Sequence, residues 1–556
     1  MSLDPFKIGD YVIEYPFTIS SGIGTTTAPT TSLLLERIKQ LGFATSKSLG
    51  IERREGNQPP ILVQIADGTY LNAVGLSNPG YEEFAEELRE THIPKGKYLM
   101  QSFFGKDREE FVTIARGLAR YADFFELNCS CPHVEGFGRD MPRYIETVRG
   151  ATRGVKNIGK PTFVKLAPTE NISEMAMVAV EAGADGLVAI NTEGPYENPI
   201  LTNRKGGRSG RGIRDIGLEC VRKIRAVTDV PLVVTGGIST ADDVRMYQDA
   251  ARKNVAFGIG SVCGGMSTDQ LVYYFNALES DLEHGTNYTA ELLVDWTMRR
   301  TPYKIRKIQQ VADDLKVFYF DGDLESEPGQ FVFTQIPEHE EKPFSIADDS
   351  PFTIAVRRIN NPERPNNFTS RLFEAGVGDE IYVRGPYGRG FELYDNSVLV
   401  GGGTGAAPLN FLAKRMDNPL VFLGGKTRDQ LLFLNDSVKP GDVIATTEDG
   451  SYGTKGLVTD ALMSAGKSGL LNGATFYNCG PEGMMVAAAE LEKEYTHPSR
   501  IQVAVERYMK CGVGICDSCE INGYRSCVDG PVFYLQEVDN ALGVYSRDMS
   551  GARIEL

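Results

Sequence analysis

The stretch PLVVTGGISTADDVRMYQDAARKNVAFGIGS at 231–261 holds an apolar run, an amphipathic stretch and a second apolar run, the runs closing on Gly236-Gly237 and on Gly260-Ser261. It reads as strand, helix, strand. Working back toward the N-terminus, the same alternation recurs at FTISSGI (17–23), FATSKS (43–48), LMQSFFG (99–105), FFELNCS (124–130), PTFVKLAP (161–168) and GLVAINT (186–192). With PLVVTGG and VAFGIGS the apolar runs number eight. Eight strands, each followed by a helix within about 250 residues, predict an α/β TIM barrel with its chemistry at the C-terminal ends of the strands.

Polar and glycine residues gather at those predicted ends. Gly236, Gly237, Gly260 and Ser261 follow the seventh and eighth strands, where such barrels bind phosphate through backbone amides. Lys47, Asn72, Asn128, Cys131, Lys165, Asn191 and Thr192 lie at the other ends. Amides and lysines in a barrel mouth can hold a planar, carbonyl-rich heterocycle, and lysines can stabilise the electron-rich edge of a reduced flavin. Each residue alone could equally be a solvated loop residue.

A second signal is KCGVGICDSCEINGYRSC at 510–527, in which Cys511, Cys516, Cys519 and Cys527 stand with gaps of four, two and seven residues. Four-then-two is the first half of plant-type ferredoxin spacing, so the reading is a [2Fe–2S] cluster. Zinc sites more often separate two Cys-x2-Cys pairs, and nine cysteines without a secretory signal argue against disulfides. The formal net charge of −16 weighs against a nucleic-acid partner. No apolar run approaches the ~20 residues of a membrane span. A cytoplasmic protein is expected.

Between these signals, residues 300–393 read as short strands of an antiparallel barrel. SVLVGGGTGAAPL at 397–409 then runs an apolar strand into Gly401, Gly402, Gly403 and Gly405 ahead of a helix, which lets backbone amides approach a pyrophosphate.

Residues 1–290 resemble class 1 dihydroorotate dehydrogenases in NAVGLSNPG (72–80), ELNCSCPH (126–133), VKLAP (164–168), INT (190–192), GGRSG (206–210) and TGGI (235–238). The resemblance implies that Ser21, Gly22, Lys47, Ser48, Lys165, Gly210, Gly236, Gly237, Gly260 and Ser261 bind FMN. It implies that Lys47, Asn72, Asn128, Asn191 and Thr192 hold a pyrimidine, with the backbone at Gly75 and Leu76 facing its carboxylate. Cys131 matches the family's base, which removes the C5 proton while hydride leaves C6; a thiol of pKa ~8.5 does this once ionised, so rates rise with pH. Cys129 is expected in the barrel wall. His133 stands where many members have Asn. Cys-Pro-His also occurs in dihydropyrimidine dehydrogenases, so His133 either bonds a pyrimidine carbonyl or faces solvent.

KPFSIAD (342–348) resembles the FAD box of ferredoxin-reductase-like proteins, which implies FAD contacts from Lys342, Pro343, Phe344 and Ser345, with Thr369 near the pyrophosphate. TTEDGSYGTKG (446–456) and NCGPEGMM (478–485) resemble that family's nicotinamide lobe, which implies Cys479 near the nicotinamide and NAD as cofactor. Lys426 and Arg428 leave a 2′-phosphate possible. With CVDGPVF (527–533), the C-terminal half resembles the electron-transfer subunit of NAD-linked, type B dihydroorotate dehydrogenases. The expected organisation is an FMN barrel (1–290), an FAD β-barrel (291–393), an NAD lobe (394–500) and a [2Fe–2S] domain (501–556). The expected function is oxidation of dihydroorotate to orotate, by a homodimer. The rivals are an NAD(P)H-dependent reductase of uracil or thymine and an electron-transfer diaphorase without pyrimidine chemistry.

Overall fold

The computed structural model describes residues 3–129, 141–292, 298–337, 339–362, 364–433 and 443–556. The chain forms two compact units, one of Met1–Trp296, Val513–Arg525 and Arg547–Ile554, the other of Thr297–Gly512, Ser526–Ser546 and Glu555–Leu556. The stretch 501–556, expected as a cluster domain of its own, is thus divided between them.

The first unit contains a closed barrel of eight parallel strands: β1 (Phe17–Ile19), β2 (Leu41–Thr45), β3 (Tyr98–Phe103), β4 (Phe124–Asn128), β5 (Thr162–Leu166), β6 (Gly186–Ala189), β7 (Leu232–Thr235) and β8 (Val255–Ile259). They pair in chain order, and β8 closes on β1 with Phe257 opposite Phe17. Alternate residues face the interior, which is layered. One layer, of Phe43, Met100, Phe124, Phe163, Val188, Val233 and Ala256, clusters with Phe6, Ile8 and Ile13 of the N-terminal hairpin, which stoppers the N-terminal end of the barrel. One step further along the strands the interior turns polar: Thr18, Thr45, Ser102, Glu126, Lys165 and Thr235 are all buried. The apolar layer anchors the barrel, and the polar layer lies toward the C-terminal ends of the strands.

The connecting helices carry local start signals. The helix Ala241–Ala251 opens on a capping box in which the Thr240 side chain accepts from Asp243 N while Asp243 returns a bond to the Thr240 backbone. A second capping box, Ser267 with Gln270, starts Thr268–His284, which ends on left-handed Gly285. A four-stranded antiparallel sheet of Leu62–Ala66, Thr69–Asn72, Lys205–Gly210 and Glu193–Glu197 brings the 72–80 and 206–210 motifs together, with Gly207 opposite Asn72.

Val513–Arg525 joins this unit through buried polar contacts. Gly24 N donates to Ile515 O at 2.9 Å and Thr26 N to Asp517 Oδ2 at 2.8 Å. Arg547, its side chain fully buried, bonds Glu520 and donates to Glu87 Oε1 at 2.5 Å. Glu87 also accepts from Ala28 N, so one guanidinium ties the C-terminal tail, the cysteine loop and two barrel helices together.

The second unit holds a closed six-stranded antiparallel barrel of Thr301–Ala312, Leu315–Phe320, Phe352–Arg357, Glu341–Asp349, Phe331–Gln335 and Glu380–Tyr387, in that spatial order. It also holds a seven-stranded sheet whose order is Thr454–Lys455, Val443–Thr447, Leu420–Gly425, Ser397–Gly402, Thr475–Cys479, Ile501–Ala504 and Val532–Tyr534. The last strand runs antiparallel and comes from beyond the cysteine loop. Among the described residues no helix is long and apolar enough to cross a membrane.

Candidate active site and electron-transfer centres

At the C-terminal end of the first barrel the polar layer forms one connected network. Ser48 Oγ meets Ser21 Oγ at 3.2 Å and Ser102 Oγ at 2.8 Å, and Ser102 donates to Glu126 Oε1 at 2.7 Å. Lys165 Nζ, buried, reaches the same carboxylate oxygen at 3.5 Å. Asn128 Nδ2 donates to Ser48 Oγ at 2.9 Å, and Asn191 Nδ2 donates to Asn128 Oδ1 at 3.3 Å. Asn72 Nδ2 donates to Gly207 O at 3.1 Å, while Thr192 packs so closely on Gly207 that a Cβ there would lie 2.5 Å from its hydroxyl. Asn72, Asn128, Asn191 and Thr192 are therefore gathered in one region, beside Lys165.

Lys47 lies across Gly22, whose Cβ would stand 3.0 Å from Nζ. Gly22, Gly210, Gly236 and Gly237 all have positive φ, and a Cβ at Gly237 would lie 2.9 Å from Gly210 O. A Cβ at Gly210 would lie 3.1 Å from Ser261 Oγ, so Gly210, Gly237 and Ser261 are brought together, and bare backbone of this kind is what a phosphate-bearing group needs. Gly260 and Ser261 follow β8 directly.

The 72–80 loop is conformationally marked. Gly75 and Leu76 have φ of 76° and 56°, and a leucine in that region is a strained choice that its surroundings must enforce. They do so: Asn57 Nδ2 donates to Ala73 O at 2.7 Å, Asn78 Nδ2 to Leu76 O at 2.8 Å, and Ser77 Oγ to Met549 O at 2.8 Å. Cys129 is fully buried, and burial pushes its thiol up to about 12, as a wall residue requires. Cys131 and His133 lie outside the described residues. Ser102, Glu126, Asn57, Asn78 and Met549 escaped the sequence reading. Glu126 stood inside a quoted motif; Met549, 472 residues from Ser77, had no local signal.

In the antiparallel barrel, Lys342, Pro343, Phe344 and Ser345 occupy the strand Glu341–Asp349, with Phe344 opposite Val332 and 6.0 Å from the Phe368 ring. Ser345 is exposed, and burial lowers the Lys342 ammonium, whose Nζ lies 5.5 Å from the Tyr508 ring centroid. The Thr369 hydroxyl is engaged locally, accepting from Ile359 N at 2.9 Å and donating to Asn367 Oδ1 at 2.8 Å. Gly401 and Gly402 end the strand Ser397–Gly402, and Gly403 has positive φ. Gly405 packs on the Cys479 backbone, where a Cβ would lie 2.2 Å from the carbonyl oxygen, so the two lobe motifs meet at bare glycine. Cys479 is buried, which pushes its thiol up to about 12. Lys426 and Arg428 are exposed beyond the strand Leu420–Gly425.

Beside Cys479, Asn478 Nδ2 donates 2.8 Å to Glu492 Oε2, and burial pushes the Glu492 carboxyl up to about 8 from an ordinary value of 4.5. A carboxyl held neutral in the fold contributes stability that is complete below about 4.5 and is lost as pH rises through about 8. Glu492→Gln keeps the Asn478 acceptor without the charge. It is expected to raise the stability of this lobe at pH 8.5 by roughly 2–4 kcal/mol and to flatten its decline between pH 5 and 8. Urea unfolding followed by intrinsic fluorescence across that range checks this, and parallel pH profiles for variant and wild type would count against it.

Cys511, Cys516, Cys519 and Cys527 are all buried, and the described cysteines form no disulfide. Gly512 and Gly514 have φ of 75° and 69°, as a loop that turns its amides inward requires. Cys516 and Cys519 in the first unit and Cys511 and Cys527 in the second are each buried thiols, a donor chemistry that suits iron–sulfur ligation. Among the described residues no three His, Cys, Asp or Glu side chains form a single-ion site; a [2Fe–2S] cluster spreads its four thiolates over two irons instead.

Comparison with known proteins covers both halves. Residues 7–271 match the family model described as Dihydroorotate dehydrogenase, residues 399–490 the Oxidoreductase NAD-binding domain, and residues 506–539 the Iron-sulfur cluster binding domain of dihydroorotate dehydrogenase B. The chain is 36% identical over 258 residues, 44% of its length and 83% of the relative, to "Dihydroorotate dehydrogenase B (NAD(+)), catalytic subunit" of Methanocaldococcus jannaschii. It is 37% identical over 260 residues, 45% of its length and 96% of the relative, to "Probable dihydroorotate dehydrogenase B (NAD(+)), electron transfer subunit" of the same organism. The corresponding electron transfer subunit of Pyrococcus horikoshii is 38% identical over 247 residues, 44% of this chain and 94% of that one.

Proposed function

The chain belongs to the dihydroorotate dehydrogenase B (NAD(+)) family, with counterparts of the catalytic and electron transfer subunits in one polypeptide, and from that premise we propose that it oxidises (S)-dihydroorotate to orotate in pyrimidine biosynthesis and delivers the electrons to NAD+. The observation that carries this reading is the gathering of Asn72, Asn128, Asn191 and Thr192 beside Lys165 at the mouth of the barrel. Gly210, Gly237 and Ser261 would hold FMN, Cys511, Cys516, Cys519 and Cys527 would hold a [2Fe–2S] cluster, and the strand with Lys342–Ser345 would hold FAD; the chemistry supplied when these are bound would be hydride acceptance, single-electron transfer and two-electron delivery to NAD+.

This chain's own residues orient the pyrimidine and move its proton. The three asparagine amides can each donate and accept, which matches the alternating carbonyl and N–H edge of the ring. The Gly75–Leu76 turn presents backbone rather than side chain, and that favours a carboxylated pyrimidine over uracil. Cys131 receives the C5 proton. Lys165 and Lys47 supply positive charge where the reduced flavin gathers electron density. We also place the protein in the cytoplasm, where thiols stay reduced, and as a homodimer by analogy with class 1 barrels.

Anaerobic mixing of the purified full chain with L-dihydroorotate and NAD+, followed at the NADH band, tests the reading, with uracil plus NADH or NADPH as the parallel trial. NADH formation is expected from dihydroorotate alone. Oxidation of the reduced nicotinamide by uracil, with no turnover of dihydroorotate, would move the chain to pyrimidine reduction.

A further inference from the structure

Against the backbone that carries Cys511 lies a charge group that no step above uses. Arg384, in the strand Glu380–Tyr387, donates from Nη2 and Nε to the two oxygens of Glu341 at 2.6 and 3.0 Å. Arg300 Nη2 donates to the same carboxylate at 2.9 Å. All three side chains are buried, at 1%, 2% and 10% exposure for Arg384, Glu341 and Arg300. Two guanidinium groups, which do not deprotonate, share one carboxylate, so the group carries one positive charge in excess.

The geometry shows where that excess points. The Arg384 guanidinium rests 3.9 Å from the Phe333 ring centroid and 5.3 Å from that of Tyr387, and with Nε and Nη2 taken by Glu341 its Nη1 has no hydrogen-bond partner among the described residues. A Cβ built on Gly512 would stand 3.2 Å from that Nη1 and 2.4 Å from the Phe333 ring, so the chain next to Cys511 passes directly over it. A buried unpaired N–H and an uncompensated buried charge are each costly unless something anionic faces them. The thiolates and sulfides of an iron–sulfur centre are such acceptors. Hydrogen bonds to the sulfurs and net local charge are also what set its potential.

We propose that Arg384 is a tuning residue for the iron–sulfur centre, its Nη1–H donating to a sulfur at or beside Cys511 and its positive charge favouring the reduced form. The proposal rests on the reading of the four cysteines as cluster ligands. In its absence the reduced centre, which carries the extra electron, loses more stabilisation than the oxidised one, and the midpoint potential falls.

The experiment is an EPR-monitored anaerobic redox titration of the full-chain holoenzyme, with iron and acid-labile sulfide measured on the same samples. Arg384→Gln is expected to shift the reduction equilibrium at least tenfold toward the oxidised centre, a fall of about 59 mV for one electron. Arg384→Lys, which keeps the charge and gives up the planar fork, is expected to fall by less. Glu341→Gln removes the compensating anion and is expected to move the midpoint in the opposite direction. It also serves as the deciding variant if Arg384→Gln loses its cluster. Midpoints equal to wild type in cluster-loaded Arg384→Gln, or in Glu341→Gln, would overturn the assignment of Arg384. Wild-type protein with neither iron nor sulfide would instead overturn the cluster reading beneath it.

Discussion

Alanine in place of Cys131 is expected to slow dihydroorotate oxidation roughly 10²–10⁴-fold, the usual contribution of a positioned general base, while NADH still reduces the FAD at the wild-type rate. Residue 131 lies outside the described residues, and its role is a proposal from the ELNCSCPH motif at 126–133. The neighbouring structure narrows the alternatives. Asn128 closes β4 with its amide bonded to Ser48 and Asn191, which ties the strand end to the polar network of the barrel mouth. Cys129 cannot stand in as base, because burial holds its thiol up to about 12. Because the thiolate is the working form, wild-type flavin bleaching by dihydroorotate should accelerate with rising pH, and the alanine variant should lose that rise. Stopped-flow flavin reduction separates this step from the later electron transfers. A variant with undiminished bleaching would remove Cys131 from the mechanism.

The second large effect concerns the charge pair inside the barrel. Lys165→Met is expected to cost about 3–5 kcal/mol of stability, the range for removing one partner of a buried ion pair, and to release FMN. Lys165 and Glu126 have side chains only 8% and 2% exposed, so Glu126 left alone would face Ser102 as its remaining donor among the described residues. Glu126→Gln should be milder, because the amide keeps an acceptor for the Ser102 hydroxyl while Lys165 gains freedom to face a ligand. Thermal unfolding together with flavin content per polypeptide checks both variants. A Lys165→Met protein that keeps its FMN and its wild-type midpoint would show that the pair is incidental to the site.

Much of this architecture was legible because it is local. Runs such as FFELN and LVVT alternate between a helix-facing and an interior-facing side, and the capping residues Thr240 and Ser267 mark their own helices. Asn128 ends β4, Lys165 lies near the end of β5, and Asn191 and Thr192 come shortly after β6, so a barrel carries them to one rim, whereas Asn72 ends a strand of the separate antiparallel sheet. What was not legible depends on contacts between distant segments. Ser102 reads as an ordinary strand serine until β3 sets it between Ser48 and Glu126.

The sequence by itself marked the two barrels, the glycine-rich strand-to-helix turn at 397–409 and the iron–sulfur-like spacing of Cys511, Cys516, Cys519 and Cys527, because periodicity, glycine placement and cysteine spacing act over a few residues. Only the tertiary structure decided which buried groups lack a local partner. It set Arg547 between Glu87 and Glu520, the Ser77 hydroxyl on the Met549 carbonyl, and Arg384 against Gly512 with one nitrogen unpaired among the described residues. A buried charge or N–H must be satisfied in three dimensions, and no local pattern records which segment, hundreds of residues away, will supply the partner.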